Sequence, residues 1–321
     1  MIDHAVYLSQ EFGISQIIIG ATIVSLGTTL PELSTSIAAI LKGTPDFALG
    51  KAVGSVITNT ALVLGVGSLA GAISVPRSIA NWLIFLVGSL LILVFGSLRF
   101  FDGNLFNSPG HLHPLIGVLF LLTVPVFLMS TFLKKKVHTE PDDSEEKKRI
   151  NNKALIIEVS IILVSAVVVA FSATVLVSTV SPAATRLGVS EAIIAGTVVA
   201  LGTSLPELTT TYAAARKGYG SLAIGNVLGA NILNILLVLG VSISLTPGGL
   251  SVPPVFYQIH FPFVLVVVGL LSYFIFNTKK HEISKTKERY YWLFTCSICC
   301  SVSLLKGTLC IGKTSLITVP F

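Results

Sequence analysis

Gly27-Thr28-Thr29-Leu30-Pro31-Glu32-Leu33 returns, almost unchanged, as Gly202-Thr203-Ser204-Leu205-Pro206-Glu207-Leu208. Each copy sets one glutamate inside an apolar helical stretch. A carboxylate in hydrocarbon costs roughly 2.5–3.5 kcal/mol even on the gentler insertion scales. Two of them, at matching places in two halves, point to a site that takes a cation in place of water. The duplication extends outward without a gap. Since 207 − 32 = 175, adding 175 to a first-half number gives its partner. Gly13-Ile14-Ser15 meets Gly188-Val189-Ser190, and Lys42-Gly43 meets Lys217-Gly218. Gly50 meets Gly225, Gly54 meets Gly229, and Asn59 meets Asn234. About half of the positions from Gly13 to Gly65 are identical in this register, so residues 13–65 and 188–240 form an internal repeat.

The rest of the chain explains where these acids sit. Of 321 residues, 53% are hydrophobic and 11% charged, with mean hydropathy +0.87. Soluble domains carry about 25% charged residues. The chain therefore reads as an all-α polytopic membrane protein. Spans of about 20 apolar residues are expected near 16–41, 47–71, 80–99, 113–133, 154–180, 190–215, 222–245, 257–277 and 289–306, nine in all. The charged run 134–153 (KKKVHTEPDDSEEKKRINNK) divides a first repeat, 1–133, from a second, 154–306, and leaves a tail, 307–321. The net charge of +6 does not imply nucleic acid, because the basic residues fall in links between spans. Residues 1–16 are polar and show no cleavable signal peptide.

Lys and Arg set the expected orientation. Arg77, the 134–153 run, Arg216, Lys217 and the cluster from Lys279 to Arg289 share one side, which the positive-inside rule makes cytoplasmic. Lys42, Arg99, Arg186, Lys306 and Lys313 fall on the other. An odd number of spans separates the repeats, so they run oppositely through the membrane, the inverted topology of secondary transporters. A helix (154–180) precedes the second repeat. Its first-half counterpart is expected to lie before Met1, so that it is either omitted at the start of the chain or lacking from the protein.

Pro31 and Pro206 each remove a helix N–H and clash with the carbonyl four residues back. Free carbonyls are expected near Gly27 and Thr28, and near Gly202 and Thr203. Hydroxyls of Thr28, Thr29, Thr203 and Ser204 lie at the same depth, and Glu32 and Glu207 follow one residue past each proline. On the next helix of each half, Ser55 and Asn59 share a face, being four apart, and Asn59 and Asn234 each offer an amide oxygen. This is a set of hard oxygen donors. It suits Ca²⁺, which takes 6–8 of them at 2.3–2.6 Å, and Na⁺ equally. Soft metals want thiolate or imidazole, and the repeats hold neither. Cys296, Cys299, Cys300 and Cys310 lie late in the chain and read as small apolar residues. No Ser–His, Cys–His or paired-aspartate arrangement falls in the spans, so an enzyme is not expected.

Gly-Thr-Thr/Ser-Leu-Pro-Glu, followed about 20 residues later by a Gly-x-x-x-Gly-x-x-x-x-Asn helix, resembles the alpha repeats of the cation/Ca²⁺ antiporter superfamily, and prokaryotic sodium/calcium exchangers in particular. The resemblance implies a ten-helix inverted repeat exchanging Ca²⁺ for Na⁺ by alternating access, in a prokaryotic inner membrane, with no prosthetic group. It makes Glu32 and Glu207 the central Ca²⁺ ligands. Oxygens of Thr28, Thr29, Thr203, Ser204 and Ser55 become Ca²⁺ or Na⁺ ligands, and the carbonyls of Ser25 and Ala200 Na⁺ ligands. Asn59 and Asn234 become the polar pair beside the glutamates. The chain departs from the pattern at its first helix and at Ala230, where a serine is frequent. It departs again at Lys51, the partner of Asn226. Lys51 either snorkels to the outer surface or acts as an internal cation that weakens Ca²⁺ binding. H⁺-coupled exchange, a cation channel and a transport-inactive family member are the alternative expectations.

Overall fold

A helix crosses about 30 Å of hydrocarbon when some 20 apolar residues follow one another, and six described helices meet that condition. The computed structural model describes residues 1–75, 79–98, 108–133, 152–186, 200–276 and 282–283. After a short helix α1 (Ile2–Glu11) come α2 (Gln16–Leu41), α3 (Pro45–Ala70), α4 (Ile79–Ser97) and α5 (Pro114–Leu133). The second half holds α6 (Asn152–Arg186), α7 (Ala200–Thr203), α8 (Leu205–Arg216), α9 (Gly220–Leu245) and α10 (Phe256–Phe276). Six expected spans agree with α2, α3, α4, α5, α9 and α10 within two residues at each end. The span expected at 190–215 is described only from Ala200 onward. The span at 289–306, most of the charged run, the four cysteines and the tail lie outside the described residues.

The Lys-Gly pairs of the repeat are helix stops. After α2, Gly43 turns left-handed (φ 75°), its N–H donates to the Ile40 carbonyl, and the Thr44 N–H reaches back to the Ala39 carbonyl at 2.9 Å. After α8, Gly218 (φ 85°) and Tyr219 repeat the arrangement on Ala215 and Ala214. This cap needs a residue that tolerates positive φ, which glycine does without steric cost. Pro45 then opens α3 at a position whose N–H needs no partner.

Two short antiparallel ribbons tie the halves together. β1 (Ile73–Ser74) pairs with β4 (Glu282–Ile283), and β2 (Gly110–Leu112) with β3 (Leu250–Val252). In the 175-residue register β1 maps beside β3 and β2 beside β4, so the ribbons are pseudo-equivalent. Each joins links that the alternation of spans assigns to a common side.

The N-terminal residues, read above only as polar, form α1. It buries Ile2, Ala5, Val6 and Leu8 against Ile19, Val24, Ile162 and Leu222. Lys217 donates to both carboxylate oxygens of Asp3 at 2.7 Å, which holds that carboxyl below the usual carboxylate range, and His4 bonds Glu158 at 2.7 Å. In the repeat register α1 falls on residues 177–186, the last ten residues of α6. α1 is thus the first-half counterpart of the last ten residues of α6.

Burial grades from centre to rim. The apolar window of α9 is 83% buried, and those of α3 and α2 are 67% and 61%. Those of α4, α10 and α5 fall to 39%, 28% and 22%. Ile84, Leu115, Leu122 and Met129 point outward, as lipid-facing residues do. The central helices meet at glycines. A Cβ on Gly229 of α9 would lie 2.5 Å from the Ala21 carbonyl oxygen and 2.6 Å from Ser25 Oγ on α2. Gly229→Ala is expected to force this crossing apart at a cost of about 1–3 kcal/mol. A thermal midpoint of the detergent-purified variant equal to that of the wild type would show that the crossing is not tight.

Candidate ion-binding site

Glu32 and Glu207 are both buried, at 1% and 0% exposure. Glu32 sits inside α2, where the structure departs from the break expected at Pro31. That proline lies within an unbroken helix, because packing of the face that carries Thr28, Thr29, Glu32 and Ser36 holds the helix through the loss of one hydrogen bond. The second half does break. Ser204 leaves helical geometry (φ −96°, ψ 6°), and Pro206 occupies the first turn of α8, where a missing N–H costs nothing. Glu207 therefore projects from a helix N-terminal turn, and Glu32 from a helix interior.

The asparagine helices carry a second irregularity that the sequence did not announce. Wide π turns run from Asn59 to Val63 in α3 and from Asn234 to Leu239 in α9. They begin at partner residues of the repeat. A third spans Gly20–Val24 in α2. A π turn replaces the ordinary i→i+4 bond by a longer one and is frequent at functional sites.

Around the acids the polar inventory is largely unpaired. Ser55 donates its hydroxyl to Glu32 Oε1 at 2.7 Å. Glu32 Oε2 and both carboxylate oxygens of Glu207 find no hydrogen-bond partner among the described residues. The same holds for the hydroxyls of Thr29 and Ser204 and for both amide atoms of Asn59 and of Asn234. Native interiors pair nearly all such groups. The acids and their neighbours cross between repeats. Asn234 of the second half lies near Glu32 of the first, and Thr28 of the first half near Glu207, in both cases without closing a hydrogen bond, and the two carboxylates repel each other. The Thr28 hydroxyl also donates to the Ser25 carbonyl at 3.2 Å, long for a hydroxyl bond.

The remaining expected residues are placed less closely. Ser25 is fully buried and donates its hydroxyl to the Thr22 carbonyl at 3.3 Å. Thr203 is half-buried at the end of α7. Ala200 opens α7, and only its backbone is described.

Lys51 is half-buried and turns onto α2, where the exposed Thr35 lies. Its ammonium donates to the main-chain carbonyl of Glu32 at 3.0 Å and to the Thr35 hydroxyl. Asn226, its repeat partner, donates instead to Thr211 at 3.2 Å. Asn231 of α9 donates to Thr60 of α3 at 2.8 Å, a buried bond between the halves. Neither residue of that pair has a polar repeat partner, so the duplication gave no signal for it.

Among the described residues no three His, Cys, Asp or Glu side chains come together. What converges is two carboxylates with hydroxyl and amide groups, all hard and oxygen-rich, which fits an alkali or alkaline-earth cation rather than a transition metal.

Known proteins agree with this chemistry. The chain is 33% identical over 271 residues to the inner membrane protein YrbG of Escherichia coli, covering 83% of this chain and 80% of that protein. It is 28% identical over 304 residues to the sodium/calcium exchanger MaX1 of Methanosarcina acetivorans, covering 86% of each. Among solved structures, the sodium-calcium exchanger NCX_Mj superposes with a TM-score of 0.73 at 26% identity, over 94% of this chain and 92% of that one. The sequence profile of the sodium/calcium exchanger protein family matches residues 1–133 and 157–302. With both repeats inside that match and the glutamates of the two repeats acting on one another in the fold, this chain is a multi-pass membrane member of the sodium/calcium exchanger family of cation transporters.

Proposed function

We propose that this chain exchanges Ca²⁺ for Na⁺ across a membrane by alternating access. One observation carries the reading: three of the four carboxylate oxygens of Glu32 and Glu207 are buried without a hydrogen-bond partner among the described residues, as are the hydroxyls of Thr29 and Ser204 and the amides of Asn59 and Asn234. Leaving a buried polar group unsatisfied costs about 1–3 kcal/mol, and more when it is charged. A transported cation removes that cost. The proposed ligand set is Glu32, Glu207, Thr28, Thr29, Thr203, Ser204 and Ser55, with Asn59 and Asn234 beside the acids and the carbonyls of Ser25 and Ala200 on Na⁺.

The coupling follows from charge. Two ionised carboxylates give the empty site a charge of −2, which moves through a low-dielectric interior only at high cost. One Ca²⁺ or two Na⁺ neutralise the pair, so loaded forms change access and the empty form does not. Two oppositely oriented repeats supply two pseudo-equivalent states, which is the basis for alternation. The names of MaX1 and NCX_Mj as sodium/calcium exchangers support Na⁺ as the counter-ion. The positive-inside rule puts the 134–153 run, with Arg216 and Lys217, on the cytoplasmic side, and the inner membrane location of YrbG supports the same membrane here.

The expected result in proteoliposomes is ⁴⁵Ca²⁺ uptake driven by an outward Na⁺ gradient and absent when K⁺ replaces Na⁺. Uptake driven by a pH gradient and indifferent to Na⁺ would reassign the coupling to protons. Flux without any counter-ion would indicate a channel, and no uptake under any gradient a transport-inactive member.

A further inference from the structure

The two repeats differ in charge at several positions, and one of them lies against a glutamate of the site. Where α9 carries the neutral Asn226, α3 carries Lys51. One turn later on the same face of α3, Ser55 donates to the Glu32 carboxylate at 2.7 Å. The Lys51 ammonium binds the same residue from its main-chain side, through the Glu32 carbonyl at 3.0 Å, and takes the Thr35 hydroxyl as a second acceptor. A snorkelling lysine would carry its charge away from the protein interior to the membrane surface. This one is half-buried and turned toward α2, and its charge acts on both Glu32 and Glu207. Its acceptors, a carbonyl and a hydroxyl oxygen, are the ligand types that a Na⁺ ion takes.

We infer that Lys51 is a fixed monovalent cation beside the ion site that lowers the affinity of this chain for divalent cations. The inference rests on the exchange reading above and adds to it a determinant of ion selectivity. A fixed positive charge repels a divalent ion twice as strongly as a monovalent one at the same distance. Ca²⁺ binding is thereby opposed more than Na⁺ binding. In the second repeat the neutral Asn226 donates to Thr211 and brings no charge, so the device is absent at the equivalent position.

The test uses the full-length protein in detergent and in proteoliposomes. Lys51→Asn copies the second repeat, Lys51→Met removes the charge without adding an oxygen, and Lys51→Arg keeps the charge. Equilibrium binding of ⁴⁵Ca²⁺ is expected to tighten about tenfold or more in both the Asn and Met variants, the effect of withdrawing a unit charge from a buried divalent site. The Arg variant should stay near wild type. In proteoliposomes the Asn variant should reach half-maximal Na⁺-driven ⁴⁵Ca²⁺ uptake at a lower Ca²⁺ concentration than the wild type. Unchanged Ca²⁺ affinity in the Asn and Met variants, with binding still lost in Glu207→Gln, overturns the role of Lys51 and leaves the exchange reading standing. An Arg variant that binds as tightly as the Asn variant overturns the charge argument. Absence of divalent binding in the wild type and every variant overturns both.

Discussion

Glu207→Gln is expected to abolish Ca²⁺ uptake into Na⁺-loaded vesicles, and Glu32→Gln to do nearly the same. The substitution keeps the shape of the side chain and removes one charge. Taking one member from a buried set of compensating charges costs about 3–5 kcal/mol, or roughly 10²–10⁴-fold in ion affinity. The effect should be larger at Glu207. Both of its carboxylate oxygens lack a hydrogen-bond partner among the described residues, whereas Glu32 already accepts a hydrogen bond from Ser55 on one oxygen. Glutamine at position 207 therefore loses charge at the atoms most available to a cation. The variant should also fold. A neutral amide is cheaper to bury than an ionised carboxylate, so protein yield and the thermal midpoint in ion-free buffer should match or exceed the wild type. Uptake retained in both glutamine variants would remove the assignment of these acids as ligands.

Much of this architecture was legible in the sequence for one reason. Hydrocarbon penalises charge so heavily that a duplicated Pro-Glu inside apolar helices has few bland explanations. The same penalty made the boundaries of α2, α3, α4, α5, α9 and α10 readable to within two residues, because a span is a long unbroken apolar run. What was not legible depended on partners. α1 is ten residues long and only half apolar, and it is held by the surface that Ile19, Ile162 and Leu222 present to it, which hydropathy does not report. The ribbons β1–β4 and β2–β3 pair links far apart in sequence, and their two- and three-residue strands carry no alternation to detect. Proline suggested two broken helices, and only the second half breaks, at Ser204. In the first half tertiary packing outweighs the local preference. Lys51 was visible as a departure from the repeat, but its direction was decided by the Glu32 carbonyl and Thr35 across the helix interface.

The second large effect is expected at the asparagine pair, and it separates ligand from glue. A buried asparagine that holds helices together spends its amide on hydrogen bonds, as Asn231 does with Thr60 at 2.8 Å. Losing such a bond costs stability. Asn59 and Asn234 are fully buried, stand at the starts of pseudo-equivalent π turns, and leave both amide atoms without a hydrogen bond among the described residues. Replacing an unpaired buried polar group by an apolar one of similar shape is neutral or stabilising, by up to about 1–3 kcal/mol. Asn234→Leu, with a side chain branched at the same atom, should therefore leave the ion-free thermal midpoint unchanged or raised. The cost should appear only when the ion is added. A ligand at about 100 times its Kd stabilises a folded protein by about 2.7 kcal/mol, so wild-type protein should gain several degrees in saturating Ca²⁺ while the Asn234→Leu protein gains little. Uptake at limiting Ca²⁺ should fall in parallel, and Asn59→Leu should behave alike through the symmetry of the repeats. The contrast lies within one helix: Asn231→Leu should lower the ion-free midpoint by breaking the Thr60 bond, yet leave the Ca²⁺-dependent gain in place. An Asn234→Leu protein that is destabilised without ions and still protected by Ca²⁺ would make this residue helix glue, and would shift the unpaired-atom argument onto the two glutamates alone.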